Sequence, residues 1–170
     1  MDFQSFATSA LAAALAAVAL NRAIEWRKEA LTARAQLRGI LLELAYAERC
    51  LDKFLQRKPE LISDPGYRLA TQFLGTAIGT LTARGALRSA EAERLHQLYI
   101  DAEAVNRSLD SVTVPASAPT PTLGHLGAVM FIKSTLRVRD AFKQLQQGLP
   151  AARAAAEAAL ARIPWLEPQD

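Results

Sequence analysis

FQSFATSALAAALAAVAL, residues 3–20, carries no charge, and NRAIEWRKEALTAR follows it at once. Eighteen residues at a 1.5 Å rise make a helix of about 27 Å, close to the roughly 30 Å of a bilayer's hydrocarbon core. Fourteen of them are apolar, but eight of those are alanine. Lipid affinity therefore rests on Phe3, Phe6, Leu11, Leu15, Val18 and Leu20, about −2 to −4 kcal/mol together, and Gln4, Ser5, Thr8 and Ser9 oppose it.

With that balance near zero, the flanks decide. Only Asp2 is charged ahead of the stretch, whereas Arg22, Arg27, Lys28, Arg34 and Arg38 lie beyond it. Lysine and arginine stay on the cytoplasmic side. The expectation is a single membrane-spanning helix over residues 1–24, amino terminus outside and the remainder cytoplasmic. Arg22, Trp26, Arg27 and Lys28 then lie at headgroup depth, the arginine snorkelling. A cleaved secretory signal places positive charge before its apolar run, which disfavours cleavage here. The competing reading is a soluble protein whose alanine-rich first helix is buried in an oligomer or against a partner chain.

Outward from this stretch, the composition points to an all-α chain. Alanine and leucine dominate, and alanine loses no side-chain entropy in a helix. No alternating β-branched run and no Asn-Gly or Asp-Gly hairpin signal is present. The net charge of +3 is small for a dedicated nucleic-acid binder. The single cysteine, Cys50, excludes an internal disulfide and leaves no ligand set for structural zinc.

Residues 25–36 carry few apolar side chains and read as a basic stalk continuing the membrane helix. The region 37–170 reads as an antiparallel four-helix bundle with a short carboxy-terminal helix. Its first helix, about 37–57, shows the seam Leu37, Leu41, Leu44, Glu48, Leu51, Leu55, widened by Ile40, Ala47 and Phe54. Pro59 and the Ser63-Asp64-Pro65-Gly66 group end it. A second helix, about 67–83, buries Leu69, Phe73, Leu74, Ala77, Ile78 and Leu81, and its Gly75 and Gly79 allow a close helix approach. Gly85 is placed for a left-handed stop, and Ser89 for capping the third helix, 90–112. That helix has the cleanest seam: Leu95, Leu98, Ala102, Val105, Leu109, Val112. Glu103 and Arg107 fit an i,i+4 pair on its wet side. The proline-rich residues 113–122 form a linker. A fourth helix, about 123–147, presents Phe131, Val138, Phe142 and Leu145 to the core. Gly148-Leu149-Pro150 breaks the chain before a last helix, 151–162, and Trp165 packs on the bundle end or the stalk.

Tests for chemistry find little. Glu93 and His96 form an ExxH pair, but a di-iron bundle needs a second such motif and two further carboxylates. No glycine-rich phosphate loop, nucleophile elbow, HExxH or CxxC occurs. Glu48 on the first seam is expected at the rim, and Asn106 beside the third seam could fix helix register. Lys133, Arg137, Arg139 and Lys143 make the fourth helix basic, which suits anionic lipid or an acidic partner. The expectation is a non-enzymatic, membrane-anchored interaction, scaffold or accessory protein. It needs no cofactor, and its partners are the bilayer and a protein or a second copy, with no nucleic acid and no small-molecule substrate.

Overall fold

The computed structural model describes the backbone of residues 3–56, 68–112 and 125–164, and the side chains of residues 12–54, 68–110 and 137–164. Four helices, and no strand, occur among the described residues: α1 (Phe3–Gln56), α2 (Gln72–Ala83), α3 (Ser89–Val112) and α4 (His125–Arg162).

The helices form a square in chain order. Substantial contacts join α1 to α2, α2 to α3, α3 to α4 and α4 to α1, leaving α1 diagonal to α3. Every neighbouring pair is antiparallel. Along α1 and α4, Arg34 reaches the Ile163 carbonyl, Glu48 meets Arg153 and the Phe54 ring stacks on Phe142 at 4.1 Å. Glu91 meets Arg162 at one end of the α3–α4 pair, and Leu98 touches Gly148 further along.

The buried stripe of α1 is Ala30, Ala33, Leu37, Ile40, Leu44, Ala47, Leu51 and Phe54. Its alternating steps of three and four suit bundle packing. The stripe is rotated by one position from the expected seam. Leu41 is only partly buried at the edge of the core, and Leu42 beside it is exposed. The bundle also begins earlier than Leu37, because Ala30 and Ala33 are already covered by the α2–α3 turn and the end of α4. Residues 25–29 are exposed or half-buried, the buried stripe starts at Ala30, and α1 crosses the whole region without a break over 54 residues.

Of the other expected core residues, Leu44, Leu51, Ile78, Leu95, Leu98, Val105, Leu109, Val138, Phe142 and Leu145 are buried. Phe73 is the correction, being 41% exposed. It stands in the first turn of α2 with its ring lying over Gly39, where a Cβ would come within 2.6 Å of it. The absence of a side chain on α1 gives this ring its seat. Phe131, Val112, Leu55 and the 113–122 linker fall outside the described side chains, as does Trp165.

Two helix ends differ from expectation. α2 starts at Gln72 rather than near Tyr67. The last helix is not separate: α4 continues through Pro150 to Arg162. Proline inside a helix removes one hydrogen bond and costs about 3 kcal/mol. Here Pro150 faces solvent, while Leu145, Leu149, Ala152, Ala156 and Ala159 form a continuous buried stripe across the interruption. Burial of five side chains outweighs one missing bond. The stop at the end of α2 is as expected. Gly85 has φ 71°, Ala86 N–H bonds to Leu81 O and Gly85 N–H to Thr82 O, a Schellman arrangement. The next helix is capped at Arg88, one residue before Ser89. Glu91 returns its carboxylate to the Arg88 N–H at 2.9 Å, while Glu91 N–H and Ala92 N–H bond to Arg88 O.

Candidate functional site

The amino-terminal arm of α1 lies beyond the bundle. From Ala12 to Glu29 every side chain is exposed except Arg27, which is half-buried. Leu15, Val18 and Leu20 are each 60% exposed or more, and Ile24 and Trp26 are about half exposed. Each large apolar side chain left in water forgoes about 1.5–3 kcal/mol of burial. Among the described residues, nothing covers Leu15, Val18 or Leu20 of this arm. Phe3, Phe6 and Leu11 precede the described side chains.

Among the described residues, no helix is long and apolar enough to cross a membrane. Described side chains start at Ala12, and only residues 12–20 remain before Asn21 and Arg22, a length of about 14 Å.

The arm leaves the bundle beside the α2–α3 turn and the end of α4. A cleft of about 200 Å³ lies at this junction, with Trp26 on the arm, Ala30 and Ala33 below it, and Arg84, Ala86 and Ile163 opposite. Glu29 and Arg162 also border it. Arg162 is committed: it donates to both oxygens of Glu91 and to the Ala86 carbonyl. Its guanidinium holds the Glu91 carboxyl below the usual carboxylate range, against a partial burial that acts the other way, and Arg162 itself is raised.

At the far end, a polar cluster fixes the segment leading into α2. Thr71, the residue before the helix, makes no cap with its own hydroxyl, which donates instead to Glu103. The cap comes from another helix. Buried Glu43 of α1 accepts the Phe73 N–H at 2.8 Å and the Leu74 N–H at 2.9 Å, one on each carboxylate oxygen. A carboxylate at a helix amino terminus satisfies two orphan donors and lies favourably in the helix dipole. Asn106 is buried and grips the Leu69 peptide, while Arg68 pairs with both oxygens of Asp110. Each of these groups makes at least one hydrogen bond within the protein, so the cluster braces the segment that leads into α2.

Sequence reading named Asn106 but passed over Glu43. No local signal pointed to Glu43, since Thr71 directly before α2 is itself a favoured capping residue and only the fold turns its hydroxyl elsewhere. Glu48 is at the rim as expected, paired with Arg153, whose guanidinium is raised above its usual range by hydrogen bonds to Glu157 and Glu48. Glu103 serves Thr71, and Arg107 donates to the Glu103 backbone carbonyl, so the expected side-chain pair does not form in that way. Gly75 packs under the Tyr99 ring, whereas Gly79 faces open space.

Glu93 and His96 are both exposed, and no group of three potential metal ligands occurs among the described residues. Cys50 is packed, and the Tyr46 hydroxyl donates to its sulfur, which raises that phenol above its ordinary range. Arg137, Arg139 and Lys143 are exposed on α4, with Lys143 near Asp140.

Compared with known proteins, this chain matches no family model, no curated protein and no solved structure.

Proposed function

We propose that this protein is a membrane-anchored helical bundle that acts through binding, as an interaction, scaffold or accessory subunit, without chemistry of its own. The observation that carries the reading is the course of α1. It leaves the bundle as an unbroken helix with Leu15, Val18, Leu20 and Ile24 uncovered, and it leads back into a stretch without a charged residue. A bilayer covers all sides of such a helix at once, which suits an arm whose apolar residues are not confined to one face. The span runs over residues 3–24, amino end outside, with Arg22, Arg27 and Lys28 holding the bundle in the cytoplasm. The internally hydrogen-bonded polar cluster and the scattered, exposed histidine and carboxylates support a binding role over a catalytic one.

The test is membrane fractionation of the intact chain. Retention in the pellet through high salt and alkaline carbonate, with release by detergent, supports the anchor. Recovery of intact protein in the soluble fraction rejects it.

A second reading has its own observation. Exposed Leu20, Ile24, Leu31, Leu42 and Tyr46 continue one stripe from the arm down the outer side of α1. Such a stripe suits a second copy or a partner helix. This reading requires a defined oligomer without detergent that dissociates when residues 1–21 are deleted.

A further inference from the structure

Among the described residues, the bundle end beside the arm is rich in cations. Arg22, Arg27 and Lys28 surround the base of the arm, Arg84 and Arg88 stand on the α2–α3 turn, and Arg162 closes α4. Against these six cations are three anions, Glu25, Glu29 and Glu91, and Glu91 is already held by Arg162. Glu167 and Asp170 follow in the sequence and lie outside the described residues.

We propose that this end of the bundle docks on the anionic headgroup surface of the bilayer holding the arm, with the α2–α3 turn as its second foot. The proposal rests on the anchored reading. Its geometry follows from the cleft, which Arg84 lines together with Trp26, Ala30 and Ala33 of α1. From Leu20 to Trp26 the helix rises about 9 Å. With Leu20 at the hydrocarbon edge, Trp26 lies in the interfacial layer where tryptophan is enriched. The exposed Arg84, which lines that cleft, and Arg88, which follows in the same turn, then stand at the membrane end of the bundle, where charge is felt within a Debye length of roughly 8 Å. Basic residues this close to an anionic surface are each attracted to it, and the attraction is screened by salt. Glu29 opposes the contact from the arm side, so the selectivity comes from the turn. A helix emerging alone leaves a bundle free to tilt, and a second, charged contact fixes its orientation.

The experiment uses the full chain with Cys50→Ala and Ala83→Cys, the exposed new thiol carrying a fluorophore. Protein is reconstituted into vesicles of neutral phosphatidylcholine, or of the same lipid with one third phosphatidylglycerol. Flotation reads the anchor, and quenching by a headgroup-attached spin label reads docking. The expected result is flotation with both lipids, with quenching at least twofold stronger on the anionic vesicles. That excess is abolished by 0.5 M salt or by Arg84→Glu with Arg88→Glu, at unchanged helicity. Equal quenching on both lipids, or an excess that survives the charge reversal, overturns docking while leaving the anchor intact. Failure to float with either lipid overturns the anchor and docking with it.

Discussion

Asn106 of α3 brackets the Leu69 peptide, its Oδ1 accepting the Leu69 N–H at 2.8 Å and its Nδ2 donating to the Leu69 carbonyl at 3.1 Å. Both residues are buried, so the amide completes two backbone groups that lie outside any helix. Asn106→Leu leaves both unsatisfied and is expected to cost about 2–4 kcal/mol. Asn106→Asp keeps only the acceptor and falls between. Urea denaturation followed by circular dichroism measures both, and a loss under 1 kcal/mol for leucine removes this bracket from the stabilising contacts.

Glu43 caps α2 from across the bundle, and the two substitutions that test it differ in the size of the damage. Glu43→Gln retains one acceptor oxygen and is expected to lose about 1 kcal/mol. Glu43→Leu strands the Phe73 and Leu74 N–H groups and loses about 2–3 kcal/mol. Hydrogen exchange in α2 should accelerate more than in α3 or α4, since only α2 begins at this carboxylate.

Two glycines should respond to alanine with opposite signs. Gly79 is inside α2 with open space where a Cβ would go, and alanine there gains about 0.5–1 kcal/mol of helix propensity. At Gly39 the same gain meets the Phe73 ring at 2.6 Å. The ring must leave its seat, so Gly39→Ala is expected to lower the melting temperature and Gly79→Ala to raise it.

Acid should release the Glu91–Arg162 pair. The Glu91 pKa is lowered from its ordinary value near 4.5 by Arg162, so the folded state binds this proton less readily than the unfolded chain. Its contribution is complete above that ordinary value and disappears as pH falls through the lower folded one. Glu91→Gln keeps an acceptor for the Arg88 N–H but loses the charge. The variant is expected to be less stable by about 0.5–1.5 kcal/mol at pH 7, with the difference shrinking as pH falls below the ordinary carboxylate value and vanishing once the folded-state carboxyl is protonated. Melting curves of both proteins across this range decide it.

The helical class and most of the core were legible because apolar spacing is local information. Leu95, Leu98, Val105 and Leu109 follow from α3 alone. That the widening position Ile40, and not Leu41, lies at the centre of the α1 stripe was not, because adjacent isoleucine and leucine offer nearly equal hydrophobicity and only the neighbouring helices choose between them. Pro150 misled for a related reason: its local penalty is written in the sequence, while the alanine stripe that overrides it matters only when α1 and α3 are in place. Glu43 and the Arg84–Arg88 turn belong to sites assembled from segments far apart in the chain, and no spacing rule connects them.

The bundle should stand without its arm, and the boundary can be placed from burial. Residues 12–29 contribute no buried apolar side chain, whereas Ala30, Ala33 and Leu37 are covered. A fragment of residues 28–170 retains the entire described core and is expected to fold with a stability within about 1 kcal/mol of a full chain in detergent. It should stay soluble and not pellet with membranes. Cutting instead to residues 38–170 removes Ala33 and fully buried Leu37, which costs at least the 2–5 kcal/mol of a large-to-small core substitution. Urea curves that show equal stability for the two fragments would place the bundle's true start beyond Leu37. Loss of folding in the longer fragment would mean that the arm packs against the bundle and is not free to enter a bilayer.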